Sequence, residues 1–280
     1  MISIISVINN EQCAKEYLLR ALNRQNAKYQ SLLIDNTSGV YKNAAQAYNY
    51  AGSKANGDYL IFVHQDVFFL FRGWLKEIED YLSTLSDVGV AGLAGMVKPR
   101  FLNEFELFSR YFLLNKIGNY RLWFSLYGRG NLLQEIGGQP GPGRIISEPV
   151  PVQTVDELML IVPAKVFETN KFDEKVCDNW HLYGVDFSLT VSKKGLKTYV
   201  LPSSAIHHSG GKIDSFYVQT LKKLIEKHEM EKIINTTCGL IPTKKEFMDF
   251  FWERYPSLVP NMAKNGHKFV FTCLSLLWTF

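Results

Sequence analysis

Apolar and polar positions along the first ninety residues alternate between two spacings. Short, almost wholly apolar runs typical of buried strands lie at residues 2–8, 31–35, 57–63 and 88–92. Between these runs, apolar residues recur every three or four positions, as on one face of a helix. The clearest example is 73–86, with Trp74, Leu75, Ile78, Tyr81, Leu82 and Leu85 on one face. This β-α-β-α-β-α-β order predicts an α/β fold with a doubly wound, mostly parallel sheet and right-handed crossovers.

The next part of the chain is less regular. Residues 100–114 are rich in aromatic side chains and predict a helix. Residues 127–152 are rich in glycine and proline and too long for an ordinary connection. We expect a functional loop, a lid or a disordered insert there.

Regular patterns return after this segment. Strands are predicted at 157–163 and 197–202, and a polar loop that runs into a helix is predicted at 172–195. An amphipathic helix is predicted within 215–235. We expect one catalytic-type domain at 1–212 and a helical C-terminal extension at 213–280.

Composition restricts the class of protein. The 280 residues are 46% hydrophobic and 21% charged, which is typical of a globular chain. The net charge of +4 does not demand nucleic acid as a partner. The four cysteines form no C-x-x-C pair, which argues against structural zinc and favours a reducing compartment. The apolar start "MISIISVI" lacks a basic leader, so we interpret it as a strand and not a signal peptide.

The last twelve residues, "FVFTCLSLLWTF" (269–280), carry no charge. A helix of that length spans about 18 Å, against about 30 Å for the hydrocarbon core of a bilayer. It cannot cross a membrane alone. An interfacial anchor, a truncated span and a helix docked on the core all remain open. We expect a cytoplasmic protein, with peripheral contact at the inner face of the membrane as the alternative.

Polar side chains follow three of the predicted strands. Asn9 and Asn10 follow the first strand, Asp35 ends the second, and "HQD" (64–66) follows the third. Ligands of doubly wound sheets bind at the carboxyl ends of the strands, so these groups are expected to share one crevice. Asp35 can accept from a base or ribose, or only form an Asx-turn with Thr37.

Two further groups carry candidate chemistry. Asp66 with His207 and His208 can ligate a divalent metal such as Mn²⁺, although a histidine at a loop end is often only hydrogen-bonded. Asp186 is either a first-turn acid of a helix or a general base. Nearby aromatic side chains can bind a sugar acceptor or form a packed corner; they are Trp180, His181 and Tyr183. P-loop, G-x-G-x-x-G, G-x-S-x-G and H-E-x-x-H motifs do not occur.

Several stretches, taken in order, resemble family-2-like glycosyltransferases with the GT-A fold. They are "SIISVINNEQCAKEYLLRAL", "LLIDNTSG", "NAAQAYNYAGSKANGDYLIFVHQDV", "VDELMLIVPAKVFETNKFDEKV" and "YGVDFSLTVSKKGLKTYVLPSSAIHHSGG". The match covers about residues 2–211, and the order of the motifs carries it. The resemblance implies inverting transfer of a sugar from a nucleoside diphosphate of UDP or dTDP type. The acceptor would be a glycan or a lipid-linked molecule, as in cell-surface polysaccharide synthesis, and the cofactor Mn²⁺ or Mg²⁺.

The resemblance also implies roles for single residues. Asp35 would hold the nucleoside base, with Asn9, His64 and Gln65 also near the nucleotide sugar. Asp66 would ligate the metal that bridges the diphosphate. His207 or His208 would be a further ligand, with His207 slightly favoured. Asp186 would be the catalytic base, and Asp156 would lie near the acceptor or donor sugar.

The chain departs from the family pattern at three places. His64 replaces the first acid of an Asp-x-Asp motif, Asp35-Asn36 replaces a two-acid turn, and Val185 replaces an acid before the predicted base. A nucleotidyltransferase would need a glycine-rich, basic turn after strand one, and "VINNEQCA" has neither. A non-catalytic nucleotide- or glycan-binding module and a membrane or partner scaffold remain alternatives.

Overall fold

A computed structural model of the protein describes residues 1–100, 120–134, 143–208, 214–229, 231 and 233–242. The predicted helix at 100–114, apart from its first residue, and the apolar tail 269–280 lie outside these residues. In chain order the elements are β1 (Ile2–Ile8), α1, β2 (Tyr29–Asp35), α2 (Ala44–Gly52), β3 (Tyr59–Val63), β4 (Val67–Phe69), α3 (Trp74–Ser83), β5 (Val88–Gly92), β6 (Ala94–Met96), α4 (Tyr120–Tyr127), β7 (Gly128–Gln134), β8 (Val150–Val152), β9 (Thr154–Val155), β10 (Met159–Pro163), α5 (Ala164–Thr169), α6 (Tyr183–Ser192), β11 (Lys197–Val200), β12 (Ser204–His207), α7 (Ser215–Lys227), β13 (Ile233–Thr236) and β14 (Gly239–Pro242). Helix α1 consists of Glu11–Ala14, a π-helical part Lys15–Leu19, and Arg20–Leu22.

The main sheet has seven strands in the order β2-β1-β3-β10-β5-β11-β8. Strands β1, β2, β3, β5 and β11 run in one direction, whereas β10 and β8 run in the opposite direction. The predicted mixed, mostly parallel sheet is confirmed. Because β10 is reversed between β3 and β5, its first residue, Met159, lies opposite Val63 at the end of β3. The segment that enters β10 therefore reaches the edge where the parallel strands end.

Helices cover both faces of this sheet, because successive strand residues point to opposite sides. On one face Ile4 and Ile61 pack in a cluster with Trp74 and Ile78 of α3. On the other face Ile5 and Phe62 share a second cluster with Ala47, Tyr48 and Phe187 of α2 and α6. Two-sided burial explains why four of the five residues of β3 and four of the five residues of β10 are buried and apolar.

A second sheet, in the order β4-β12-β7-β6-β9, extends the same edge. Its strands are two to seven residues long. The glycine- and proline-rich segment 127–152 supplies β7 and β8, whereas residues 143–149 before β8 are irregular apart from one isolated bridge at Arg144. Residues 135–142 of that segment lie outside the described residues.

The carboxyl-terminal part of the described chain packs on α6. Tyr217, Leu221 and Leu224 of α7 share a buried cluster with Leu182 and Leu189. The hairpin β13-β14 follows, so the expected helical extension also contains two strands. Asn235 of β13 binds the first part of the chain. Its backbone N–H donates to Gln153 Oε1 at 2.9 Å, and its Nδ2 donates to the Val97 carbonyl at 3.1 Å. A boundary at residue 212 stays a prediction.

Within the described part of the chain, we find no helix whose length and apolar character would allow it to traverse a bilayer.

Candidate active site at the carboxyl edge of the sheet

Three segments that are distant in sequence meet where β3 ends. The His64 N–H donates to the Leu158 carbonyl at 2.9 Å, which ties residues 64–66 to the entry of β10. In the antiparallel pair of β12 and β4, His207 lies opposite Val67. The His208 N–H donates to the Asp66 carbonyl at 2.9 Å. Backbone pairing alone therefore brings the loops at 64–66, 156–158 and 207–208 together.

His64, Asp66 and His207 form a compact group, which we call the His-Asp-His group. One ligand atom from each residue can be chosen so that all of them lie within 4.8 Å of one another. Asp66 Oδ1 lies 3.4 Å from His207 Nε2. Among the described residues, Asp66 Oδ1 and both ring nitrogens of His207 are buried without a hydrogen-bond partner. Buried polar atoms are rarely left unpaired, and two imidazoles with a carboxylate suit divalent transition metals. The residues present therefore fit a metal ion.

The tautomer of His64 follows from its neighbours. Its Nε2 lies 2.8 Å from the Tyr183 hydroxyl, and that hydroxyl donates its own proton to the Glu157 carbonyl at 3.1 Å. The hydroxyl can then only accept from His64, so Nε2 carries the proton and Nδ1 has a lone pair. A metal-binding histidine usually donates its second ring N–H in this way.

Burial favours a neutral His64, and the neighbouring imidazoles favour an ionised Asp66. Burial lowers the pKa of His64. Burial opposes ionisation of Asp66, but His207, whose Nε2 lies 3.4 Å from Asp66 Oδ1, and His64 outweigh it and lower the pKa of the carboxyl. Burial also opposes protonation of His207, yet Asp66 raises the pKa of that imidazole.

Gln65 holds the turn after β1. Its Oε1 accepts from the backbone N–H groups of Asn9 and Asn10 at 2.9 and 3.0 Å, and its amide nitrogen donates to Asn9 Oδ1. Asn10 in turn caps α1, since its Oδ1 accepts from the Cys13 N–H at 3.0 Å. The predicted nucleotide residues Asn9 and Gln65 thus lie together, and they bind each other.

Asp35 ends β2 on the same edge of the sheet. Its Oδ1 accepts from the Thr37 N–H at 2.9 Å and from the Thr37 hydroxyl at 2.7 Å, which forms the Asx-turn alternative. The backbone hydrogen bond from Thr37 lowers the pKa of the exposed Asp35 carboxyl. Asn36 closes the turn by accepting from the Tyr41 N–H at 2.8 Å.

Two carboxyl groups lie at the entry of β10. Asp156 accepts from the Leu158 N–H at 3.0 Å and from the Thr237 hydroxyl at 2.6 Å. Glu157 accepts from the Gly184 N–H at 3.2 Å on the first turn of α6. Burial, followed by the charge of Asp156, raises the pKa of Glu157 to about 8. Reasoning from the sequence missed Glu157; its place directly after Asp156 and before an apolar strand was the available signal.

Asp186, the base predicted from the sequence, lies in a buried ion-pair network. Only 3% of its side chain is exposed. Its Oδ1 lies 2.8 Å from His228 Nε2, and its Oδ2 accepts from Lys227 Nζ at 2.8 Å. Lys227 also donates to Asp173 at 2.9 Å. The structure does not bring the Asp186 carboxylate together with the His-Asp-His group, and its role as a base stays a prediction.

The predicted acceptor residues have three different environments. Trp180 is 38% exposed. His181 Nε2 lies 3.1 Å from Asp214 Oδ1, and burial lowers the pKa of this imidazole. Tyr183 is buried and holds His64. The second candidate histidine, His208, stacks on Tyr17 with ring centroids 4.5 Å apart, and the His-Asp-His group contains His207 instead.

The first part of the chain matches a known family of proteins by sequence. Residues 3–102 match the model of a family described as "Glycosyltransferase like family", which covers 100 of the 280 residues. No curated protein matches the chain by sequence.

Solved structures of glycosyltransferases share the fold. TarS residues 1–349 from S. aureus superpose with a TM-score of 0.50 at 13% identity, over 81% of this chain and 64% of that chain. The mannosyltransferase PcManGT from Pyrobaculum calidifontis, in complex with GDP-Man and Mn²⁺, gives 0.52 at 10% identity, over 98% and 73%. GalNAc-T7 with UDP, GalNAc and Mn²⁺ gives 0.54 at 11% identity, over 96% and 55%. The chain thus spans less than two thirds of the TarS fragment and of GalNAc-T7. The predicted resemblance is confirmed, and the chain has the GT-A fold of glycosyltransferases.

Proposed function

We propose that the protein is a metal-dependent, inverting glycosyltransferase. It transfers a sugar from a nucleoside diphosphate of UDP or dTDP type to a glycan or lipid-linked acceptor, as in cell-surface polysaccharide synthesis. One observation carries this proposal: the His-Asp-His group, with unpaired ligand atoms, lies at the carboxyl edge of a glycosyltransferase-type sheet. GT-A proteins with this fold have been solved with GDP-Man and Mn²⁺ or with UDP and Mn²⁺.

Asp66 and His207 are proposed to hold Mn²⁺ or Mg²⁺, with His64 as a third ligand through Nδ1. When bound, the cation would neutralise charge on the leaving diphosphate, which is the largest electrostatic demand of the transfer. Two imidazole nitrogens favour Mn²⁺ over Mg²⁺, because Mg²⁺ prefers oxygen ligands alone.

The nucleotide is proposed to lie between the ends of β1 and β2. Asp35 keeps one carboxylate oxygen in the Asx-turn with Thr37, and we expect the other to accept from the base or ribose. We expect Gln65 to position the turn at Asn9 and Asn10 and not to contact the nucleotide itself, because its amide oxygen already accepts from their N–H groups. We expect Asp156 on the sugar side of the nucleotide and the exposed face of Trp180 on the acceptor side.

Nucleotide and metal binding can be measured together by thermal shift. We expect one member of a panel of UDP, dTDP, GDP and CDP to raise the unfolding temperature only when Mn²⁺ is present. Asp66→Asn and His207→Ala should lose this shift, because each removes one ligand of the group. Asp80→Asn, which changes only an exposed pair with Lys76 on α3, should keep it. No shift with any nucleotide would contradict the proposal.

A non-catalytic nucleotide- or glycan-binding module of the same fold is the second candidate. The burial of Asp186 favours it, because the carboxylate predicted as the base is already paired with Lys227 and hydrogen-bonded to His228. Such a module would give the Mn²⁺-dependent shift without consuming any nucleotide sugar. Peripheral membrane contact through 269–280 and a domain boundary at 212 stay predictions.

A further inference from the structure

We propose that Glu157 is the catalytic base that takes the proton from the acceptor hydroxyl. This inference rests on the proposed function and assigns its base to a residue that the sequence motifs do not indicate.

The first observation is the position of the Glu157 carboxyl group. Helix α6 begins after Leu182, whose φ of 63° lies in the left-handed region and whose side chain makes no capping hydrogen bond. The first turn of α6 instead receives the Glu157 carboxylate, which accepts from the Gly184 N–H at 3.2 Å. A helix amino terminus stabilises a carboxylate. Glu157 therefore reaches across from the loop before β10 and places its carboxyl group at the start of α6.

The second observation is the absence of a side chain at position 184. A Cβ atom built on Gly184 would lie 2.9 Å from Glu157 Cγ and 3.1 Å from Leu160 Cδ2. Real Cβ atoms essentially never approach other heavy atoms more closely than 3.0 Å. The Glu157 side chain therefore occupies the space that a side chain at position 184 would need. Only one of the two positions can carry a side chain in this space.

The third observation links Glu157 to the metal group. Tyr183 accepts from His64 at 2.8 Å and donates to the Glu157 carbonyl at 3.1 Å. The Tyr183 hydroxyl thus links the main chain of Glu157 to the ring of His64 through two hydrogen bonds. Glu157 is only partly buried, whereas the Asp186 side chain is 3% exposed, with one oxygen paired to Lys227 and the other hydrogen-bonded to His228. Of these two acids, we therefore assign contact with the acceptor to Glu157.

The proposed step is a single displacement. The Glu157 carboxylate accepts the proton of the acceptor O–H group, and the acceptor oxygen forms a bond to the anomeric carbon. The bond from that carbon to the diphosphate oxygen breaks, and the diphosphate leaves with the electron pair. Glu157 afterwards returns the proton to water. No oxidant or further reactant is needed.

The protonation of Glu157 determines the pH dependence of this step. Its pKa of about 8 leaves only a minor share of these carboxyl groups ionised at pH 7, so turnover that depends on this base should rise with pH up to about 8. Other titratable groups are close enough to influence the pH dependence, and those coupled to Glu157 are Asp156, Tyr48, Cys177, Tyr183, Tyr217 and Cys238. Of these, only Asp156 raises the pKa of Glu157 by its charge.

Glu157 could serve only to cap α6 and take no part in proton transfer. The variant Glu157→Gln distinguishes this capping role from the role as a base. Its amide oxygen can still accept from the Gly184 N–H but cannot take a proton from an acceptor. The matched control is Glu168→Gln, since Glu168 is exposed on α5. Two quantities are measured for each full-length variant: Mn²⁺-dependent binding of UDP or dTDP, and release of the nucleoside diphosphate from UDP-GlcNAc or dTDP-glucose.

We expect Glu157→Gln to bind the nucleotide within about threefold of wild type and to release it from the sugar at least about 100-fold more slowly. The control should match wild type in both. Turnover by Glu157→Gln within threefold of wild type would overturn the inference and leave the proposed function intact. Loss of turnover in Asp186→Asn with nucleotide binding retained, while Glu157→Gln stays active, would assign the base to Asp186. Nucleotide binding without sugar release by wild type would instead contradict the enzymatic function itself.

A double variant tests the shared volume directly. Glu157→Ala removes the carboxylate and opens the space beside position 184, so Gly184→Asp in that background should return a carboxylate to the same place. We expect the double variant to release diphosphate at least about tenfold faster than Glu157→Ala alone. Gly184→Asp alone should displace the Glu157 side chain and lower turnover. A double variant no faster than Glu157→Ala, although folded and able to bind the nucleotide, would count against the inference.

Discussion

At the level of single residues, the Tyr183 hydroxyl determines which nitrogen of His64 can bind a metal. The hydroxyl accepts from His64 Nε2 and donates to the Glu157 carbonyl, so the lone pair of the imidazole is on Nδ1. Burial keeps the ring neutral by lowering its pKa. An imidazole at the position of an expected acid is therefore compatible with metal binding and does not by itself indicate a lost site.

Removal of that hydroxyl should weaken metal binding. In Tyr183→Phe, His64 loses the acceptor that fixes its tautomer, and loss of such a partner typically costs about 10- to 100-fold in metal affinity. Titration of the protein with Mn²⁺, followed by calorimetry, measures the change. Tyr50→Phe is the control, because Tyr50 is exposed on α2. Unchanged Mn²⁺ affinity in Tyr183→Phe would show that His64 is not a ligand.

The ionisation of Glu157 should also appear in the stability of the protein. In the folded chain its pKa is about 8, whereas its ordinary value is 4.5. Between these pH values the folded state binds more protons than the unfolded state, so the free energy of unfolding should fall as pH rises. The slope from this one group is at most about 1.4 kcal/mol per pH unit. Urea unfolding of metal-free protein between pH 5 and pH 8, at about one-unit intervals, tests this.

The variant Glu157→Gln cannot ionise, so its stability should depend less steeply on pH over the same range. Parallel profiles for the variant and wild type would mean that Glu157 is already ionised near its ordinary pKa.

Sequence patterns indicated part of this site and could not indicate the rest. Asp66 and His207 follow strands, and their residue types suit a metal, so the sequence was sufficient to select them. Glu157 was missed because its position depends on the reversed direction of β10, and an apolar run looks the same in either direction. The burial of Asp186 depends on Lys227 and His228, which lie about forty residues further along the chain.

At the level of elements, the alternation up to β5 was predictable because β1, β3 and β5 are buried on both faces. The run 2–8 coincides with β1, and 88–92 coincides with β5. Strands β4, β6 and β9 have only two or three residues, which is too short for any hydrophobic period. They pair because of the tertiary fold, and the sequence alone gives no local signal for them.

Helix α7 provides a test of how the elements are held together. Leu224 is fully buried between α7 and α6, in a cluster that includes Leu182 and Val185. Leu224→Ala should lower the free energy of unfolding by about 2–5 kcal/mol, as is usual for such buried truncations. Gln219→Ala, on the exposed side of the same helix, should change it by less than about 0.5 kcal/mol. Equal values for the two variants, measured by urea unfolding, would contradict this packing.

At the level of the whole molecule, the chain after residue 212 contributes to the core and to the candidate site. Helix α7 covers α6 and supplies Lys227 and His228 to Asp186. The hairpin β13-β14 supplies the Thr237 hydroxyl to Asp156. The sequence pattern predicts a boundary at 212, because the dependence of this region on the first domain lies in contacts between distant residues.

Truncation after residue 212 tests that division. We expect the shortened chain to lose cooperative thermal unfolding, because the α6 surface and the Asp186 carboxylate lose their partners. A buried charge left without its partners costs about 3–5 kcal/mol. Circular dichroism and calorimetry measure the transition. A shortened chain that unfolds cooperatively at the temperature of the full-length protein would establish 1–212 as an independent domain.

The separation of His64 and His207 in sequence has a consequence for the order of folding. These residues are 207 − 64 = 143 positions apart, and the second reaches the first only through the pairing of β12 with β4. Long-range pairings of this kind form late, because a large loop must close first. A cation cannot template the early steps when its ligands have not yet met. Acquisition of Mn²⁺ during refolding should therefore follow the formation of the main sheet, and bound Mn²⁺ should slow unfolding more than it accelerates folding.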